Sequence, residues 1–429
     1  MKAGPRALCR LRPRRPARQS GRRPHPAGPV LAALIFIATY AVVAIGRLPG
    51  ARLDRAGAAL IGASLMVASG TLSLDEAYRA VDLGTITLLL GMMIVVANLR
   101  FAGFFGLAAR VIAQHARHPL ILLLGIVVVS GGLSAFLVND TVCLMLTPVV
   151  AEAALALARN PLPYLLAVAM ASNIGSAATI TGNPQNIMIG SVSRIPYVTF
   201  AAALAPVAAL GLGVAVAILV VSFPREFLTR ARLMPIRLRV RVNRVLLVKS
   251  LIAAAAMVVL FFVGQPPAKV AIVAGALLLF TRRIKPARIY AEIDWALLLM
   301  FAGLFILVAG GEKALFTPGL RADVAALGLD RPDVLAAVAA ILSNLVSNVP
   351  AVLLLKPFVA ALADSHRGWL VLAMGATLAG NLTILGSVAN LIVVERARRH
   401  GVVIGFGSYF RVGAPLTLAT IAIGVWLLR

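Results

Sequence analysis

From residue 30 to Arg429 the chain alternates apolar runs with short polar or basic connections. In the first half the runs fall at Val30–Ile45, Ala56–Leu72, Leu83–Asn98, Leu120–Phe136, Val142–Leu157 and Phe200–Ser222. In the second they fall at Val245–Val263, Lys269–Thr281, Trp295–Ala309, Val334–Asn344, Ala351–Ala363 and Phe410–Leu428. A bilayer core takes about 20 apolar residues of helix, so most of these runs predict membrane-spanning helices. Phe101–Gln114 is amphipathic and reads as an interfacial helix. Two pairs of runs are joined by short tips, Leu137-Val138-Asn139-Asp140-Thr141 and Ser347-Asn348-Val349-Pro350. Connections that short predict hairpins that enter and leave on one side.

Two further apolar segments are interrupted. Pro163–Gly190 carries Asn173, Gly175, Thr179, Thr181, Gly182, Asn183, Pro184 and Asn186 in its middle. Leu370–Val394 is interrupted at Gly380-Asn381, Thr383 and Gly386-Ser387. Proline removes a backbone donor and clashes with the preceding turn, while glycine tolerates non-helical dihedrals. Broken backbone at membrane depth persists only where protein or a water-filled cavity satisfies the freed polar groups. Each break therefore predicts a ligand site; the plainer alternative is a kinked helix whose polar side chains serve only its own backbone.

The halves repeat. AYRAVDLGTITLLLGM around Asp82 matches IYAEIDWALLLMFAG around Asp294, and Asn139 and Asn348 each stand nine residues before a proline, Pro148 and Pro357. Ala169-Met170 with Ala373-Met374, Thr179-Ile180 with Thr383-Ile384, Gly182 with Gly386, and Asn186 with Asn390 all match at one offset of 204. Each half contains five spanning segments and one hairpin, and an odd number of crossings inverts the second half relative to the first. The expected fold is thus an all-α polytopic membrane protein of two inverted repeats, with about ten transmembrane helices and two re-entrant hairpins. Its expected divisions are a basic disordered tail over 1–29, a first repeat over 30–222, a basic cytoplasmic loop over 223–244 and a second repeat over 245–429.

Composition agrees with this class: 61% of residues are hydrophobic and the mean hydropathy is +0.96. The net charge of +26 comes largely from runs that flank apolar segments. Met1 to Pro29 holds nine Lys and Arg with no acid, and Pro224 to Lys249 holds eight against Glu226. With almost no aromatics between the cations, these runs read as topology signals facing lipid headgroups, and no nucleic-acid partner is expected. Placing the 224–244 loop in the cytoplasm puts Arg282–Arg288 and Arg396–Arg399 there too, with Asp75–Asp82 and Glu312–Asp333 outside. The tail opposes that orientation. A multi-pass protein of a bacterial inner membrane is the expected location. The two cysteines, Cys9 and Cys143, form no CxxC. Neither HExxH, GxSxG nor a P-loop occurs, so no catalytic residue is expected; a membrane-embedded enzyme is the remote alternative.

A solute crossing the bilayer must exchange its water for protein hydrogen-bonding groups. Helix N-termini at the tips Asn139-Asp140-Thr141 and Ser347-Asn348 supply donors and a favourable dipole. The breaks add Asn173, Thr179, Gly182 and Asn186 on one side, and Asn381, Thr383, Gly386 and Asn390 on the other. Asp140 stands apart, because a carboxylate at helix centre costs about 2.5–3.5 kcal/mol on insertion scales and needs a partner or a role. No cofactor or metal is implied; Na⁺ or H⁺ is the candidate coupling ion, with a Na⁺ position expected near Asp140, Gly182 and Gly386.

In these same residues the chain resembles the ion transporter superfamily of citrate and dicarboxylate carriers, arsenite permeases and related sodium/proton antiporters. SNIGSAATITGNPQNIMIG and AGNLTILGSVANLIVVE resemble its unwound-helix signatures, and LVNDTVCLMLTP and LVSNVPAVLLLKP its hairpins. The resemblance implies an elevator-type secondary transporter, a homodimer in the bilayer, binding a small anionic or oxyanion substrate between the tips. Dicarboxylate carriers carry Ser-Asn-Thr at both tips; Asn-Asp-Thr and Ser-Asn-Val-Pro here are more similar to the arsenite-permease and antiporter branch. Two substrate classes follow: an anion or carboxylate driven by a Na⁺ or H⁺ gradient or by membrane potential, and arsenite or antimonite efflux or Na⁺/H⁺ exchange.

Overall fold

A computed structural model describes residues 28–46, 53–230, 232–234, 240–317, 319–320, 324 and 326–429. The tail expected over 1–29 lies outside these residues except for Gly28 and Pro29, as does part of the basic loop. All regular structure among the described residues is helical. The first half comprises α1 (Pro29–Ile45), α2 (Arg55–Ala68), α3 (Leu74–Ala80), α4 (Leu83–Ala102), α5 (Phe104–His115), α6 (Pro119–Phe136), α7 (Asn139–Ala156), α8 (Pro161–Ser176), α9 (Pro184–Ser193), α10 (Tyr197–Ser222) and α11 (Pro224–Phe227). The second comprises α12 (Arg244–Phe262), α13 (Pro267–Leu279), α14 (Pro286–Tyr290), α15 (Trp295–Ala314), α16 (Pro332–Val346), α17 (Asn348–Val359), α18 (Ser365–Ala379), α19 (Val388–Arg399) and α20 (Phe406–Leu427).

Local chemistry sets these boundaries. Proline opens α1, α6, α8, α9, α13 and α16 at a position where its missing N–H costs nothing. Aspartates cap others. Asp54 accepts from Gly57 N at 2.8 Å, and Asp294 from Leu297 N at 2.9 Å. Asp82 caps α4 as Asp294 caps α15, so the match between those two sequence stretches records a shared helix start.

Five of the ten expected spans are continuous helices of 19 or more residues: α4, α10, α12, α15 and α20. Three more, α1, α2 and α13, are shorter apolar helices, and the last two are the broken segments α8–α9 and α18–α19. The hairpin arms α6 and α7, at 18 residues each, are also long and apolar enough to cross, about 27 Å of helix. Length alone therefore does not separate a re-entrant arm from a spanning helix. The position of the tip does: Asn139 N donates to Gly182 O at 3.0 Å, so the first hairpin ends against the break in α8–α9.

Packing repeats the internal symmetry of the sequence. α2 packs on α15 as its counterpart α13 packs on α4, and α1 meets α15 as α12 meets α4. These helices form a frame. α6 and α7 pack on α8 as α16 and α17 pack on α18; α7 meets α19 as α17 meets α9; α10 and α20 pack on each other. These helices form a second body that carries both hairpins and both breaks. Close backbone approach makes it dense: a Cβ at Gly175 of α8 would overlap the backbone of Gly131 in α6. α7 begins at Asn139 and α17 at Asn348, as the sequence reading of helix N-termini at the tips expects. Both helix N-termini therefore sit at the tips.

Candidate functional site

Each break is closed by one asparagine. α8 ends at Ser176, and the chain turns back so tightly that a Cβ on Gly182 would overlap the Ser176 carbonyl. Asn186, in the first turn of α9, donates through Nδ2 to Ser176 O at 3.2 Å and Thr179 O at 3.1 Å. Asn390 does the same on the other side, donating to Gly380 O at 2.6 Å and Thr383 O at 3.0 Å. The restarting helices are capped by Asn183, which accepts from Asn186 N at 2.9 Å, and by Ser387, which accepts from Ala389 N at 3.2 Å. Freed backbone groups are thus met by side chains, as a dry interior requires.

The two breaks are joined by a buried polar layer centred on Asn173, which is 2% exposed. Its Nδ2 donates to Asn381 Oδ1 at 2.9 Å and to Asn390 Oδ1 at 3.0 Å. Its Oδ1 accepts from Asn139 Nδ2 and Ser387 Oγ, both at 3.1 Å. Thr377 is the counterpart of Asn173: its Oγ1 accepts from Asn183 and Gln185 at 3.2 Å and donates to Asn186 Oδ1 at 3.4 Å.

The tips dock onto this layer. Ser172 Oγ donates to Asn139 O at 3.1 Å, and the Asn348 amide, with its nitrogen facing carbonyls, donates to Gly386 O at 3.2 Å and accepts from Gln185 Nε2 at 3.2 Å. Thr179 Oγ1 donates to the Ala135 carbonyl and Thr383 Oγ1 to Asn344 Oδ1, which ties the end of each hairpin's first arm to a break. Ser347 adopts φ 76° and ψ 158°, a region occupied at ease only by glycine. Among the described residues no side chain caps either tip helix.

A cavity of about 340 Å³ opens onto both tips. Asn139, Asp140, Ser347 and Asn348 face it from the hairpins; Pro184, Gln185, Ser387 and Leu391 from the restarting helices; Asp54, Arg55, Asp294 and Met300 from the frame. Four of the candidate binding residues therefore reach the cavity wall. Asn173, Thr179, Gly182, Asn186, Asn381, Thr383, Gly386 and Asn390 stand behind that wall, in the layer that holds it. The Gly182 and Gly386 carbonyls, read as cation ligands, already accept from Asn139 N and the Asn348 amide. Thr141 lies in the first turn of α7 and does not line the cavity. Among the described residues Asp140 has no hydrogen-bond partner or ion pair and faces the cavity.

Gln185, Ser387, Arg55 and Asp294 line the cavity without having been read as binding residues, although Ser387 marks the second break and Asp294 the repeat. The residue matching Gln185 at the 204 offset is Ala389, so a search for repeated polar positions passes over it. Arg55 and Asp294 stand at frame helix starts, where their charge reads first as capping and end chemistry.

Inverted-repeat packing, broken helices and a cavity at two hairpin tips are the architecture of a membrane transporter. The chain belongs to the citrate transporter family, CitMHS, whose model matches residues 40–375. An uncharacterized transporter of Mycobacterium tuberculosis is 32% identical over 433 residues, covering 93% of this chain and 98% of that protein. A silicon efflux transporter of Oryza sativa subsp. japonica is 30% identical over 474 residues, covering 93% and 97%. The fold is also similar to the crystal structure of the Alcanivorax borkumensis YdaH transporter, at a TM-score of 0.58 and 14% identity over 94% of this chain and 97% of that one.

Proposed function

We propose that the protein is a secondary carrier for a small hydroxy acid that is uncharged at neutral pH, of the silicic or arsenous type, moved against a counter-flow of H⁺ or Na⁺. The observation that carries this reading is the charge of the cavity wall. Among the described residues, Asp54, Asp140 and Asp294 face it against the one cation Arg55, and the remaining polar groups there are amides and hydroxyls. Carboxylates in excess repel a polyanion, whereas neutral donors and acceptors suit a compact, hydroxyl-rich solute. The silicon efflux relative supports the same substrate class and an outward direction. Asp140, unpaired at a helix N-terminus inside the membrane, is the coupling-ion group in this reading. The hairpin body carries the substrate past the frame in an elevator-like movement, and the frame is the surface for a homodimer.

A second reading, transport of a carboxylate, is favoured by Arg55 on the cavity wall and by the family's description. Purified protein in liposomes separates the two: silicic acid, arsenite, antimonite, citrate and succinate are offered with Na⁺ and pH gradients varied independently. Gradient-dependent flux of the uncharged hydroxides alone is the expected outcome. Flux of citrate with none of the hydroxides would overturn the first reading. Asp140→Asn should abolish accumulation against a gradient while leaving folding intact, and unchanged coupled flux would remove Asp140 from that role.

A further inference from the structure

Most contacts within the frame, and within the hairpin body, have their counterparts under exchange of the two halves. Contacts between the two bodies do not. α4 packs on α9, α15 on α17, α1 on α16 and α12 on α10. The exchanged pairs would be α15 with α19, α4 with α7, α12 with α6 and α1 with α20, and among the described residues these at most graze one another. Two internally symmetric bodies in an unsymmetric docking occupy one of two related arrangements.

The cavities divide in the same way. The cavity at the tips is bordered by Gly46 after α1, Arg55 opening α2 and Asp294 opening α15. A second cavity, of about 520 Å³, is bordered by the counterparts of those elements: Gly264 after α12, Pro267 opening α13 and Gly84 in the first turn of α4. Ile187 lines the second cavity where its counterpart Leu391 lines the first, yet neither hairpin tip reaches the second.

Among the described residues two polar contacts between the bodies hold the observed docking, and both involve the second hairpin. Buried Tyr40 of α1 donates its hydroxyl to Pro350 O at 3.2 Å. Lys356 of α17 lies 3.7 Å from Glu312 of α15, and among the described residues that carboxylate oxygen has no hydrogen-bond partner. Neither contact has a counterpart. In register with Tyr40 stands Val258, which has no hydroxyl. In register with Lys356 and Glu312 stand Thr147, bonded to Cys143 O of its own helix, and Arg100, paired with Glu292 inside the frame.

We infer that Tyr40–Pro350 and Lys356–Glu312 are a latch that selects the observed docking, and that its release lets the hairpin body take the exchanged docking, in which the 520 Å³ cavity becomes the vestibule to the tips. This rests on the carrier reading for its purpose, but on no particular substrate. The test uses two reporter cysteines, Leu391→Cys and Ile187→Cys, each in full-length Cys9→Ser protein in liposomes, labelled with a membrane-impermeant maleimide. The ratio of the two rates follows the balance between dockings. Tyr40→Phe should shift that ratio toward Ile187→Cys by about fivefold, the effect of one buried hydrogen bond on a two-state equilibrium. Glu312→Gln should shift it in the same direction by less, because the pair is partly exposed. The charge exchange Glu312→Lys with Lys356→Glu should restore the ratio. Glu76→Gln, which breaks the Lys313 pair inside the frame, should leave it unchanged. An unmoved ratio in folded Tyr40→Phe/Glu312→Gln protein overturns the latch, as does an equal shift in Glu76→Gln. If the ratio moves while no substrate of the liposome panel is carried, the carrier reading falls and the latch stands.

Discussion

Asn173→Ala is the sharpest perturbation of the polar layer. All four hydrogen bonds of that side chain are made to other side chains, at 2.9 to 3.1 Å, and each partner would be left facing a void. Interhelical hydrogen bonds inside membrane proteins average about 0.6 kcal/mol by double-mutant cycles, which gives roughly 2.4 kcal/mol for four. Stranded buried groups cost about 1–3 kcal/mol each where they find no new partner, so the loss should be no smaller. Asn98→Ala is the control: equally buried, its amide donates only to Ile94 O of its own helix and its oxygen has no partner. That variant should lose less than about 1 kcal/mol. Cys143 supplies the assay, because its thiol is fully buried and reacts only when the hairpin body opens. In Cys9→Ser protein in detergent, the rate of Cys143 modification should rise roughly fiftyfold in Asn173→Ala, since 1.4 kcal/mol is tenfold. Equal rates for the Asn173 and Asn98 variants would refute the network reasoning.

Other substitutions address the same region. Gly182→Ala places a methyl group on the Ser176 carbonyl and should abolish the folded yield, whereas Gly213→Ala, with open space around it, should be neutral by size-exclusion profile. Ser347→Gly removes a strained backbone conformation and should stabilise the protein by about 1 kcal/mol or more in apparent Tm measurements. The Lys313 ammonium, with the backbone N–H of Ser73, holds the exposed Glu76 carboxyl down from 4.5 to about 2. A lowered folded-state value stabilises above the unfolded one and is lost as pH falls through it. The small thermal advantage of wild type over Glu76→Gln should therefore be full above pH 5, fade between about pH 4.5 and 2, and shrink in salt.

Much of this architecture was legible because membrane insertion makes polar interruptions expensive. Gly182, Pro184 and Asn186, with their counterparts Gly386 and Asn390, break apolar runs at matching places, and both breaks are present. The hairpin tips were equally visible as Asn139-Asp140 and Ser347-Asn348 between runs too close to be separate spans. The division of labour among the asparagines was not legible. Asn186 and Asn390 bridge their own breaks while Asn139 faces the cavity, and that depends on side-chain direction within a turn, which residue type does not encode. Arg55 and Asp294 reach the cavity through packing of the frame on the second body, a contact between elements remote in sequence.

The near-repetition of the two halves has an energetic consequence. Were they identical, the two dockings would be related by a two-fold rotation and equal in free energy, and the resting population would divide evenly between them. Every residue at which the halves diverge along the interface between the bodies then acts as a weight on that balance. Tyr40 against Val258, and Lys356 against Thr147, set where the molecule rests, and neither has to touch the solute to do so.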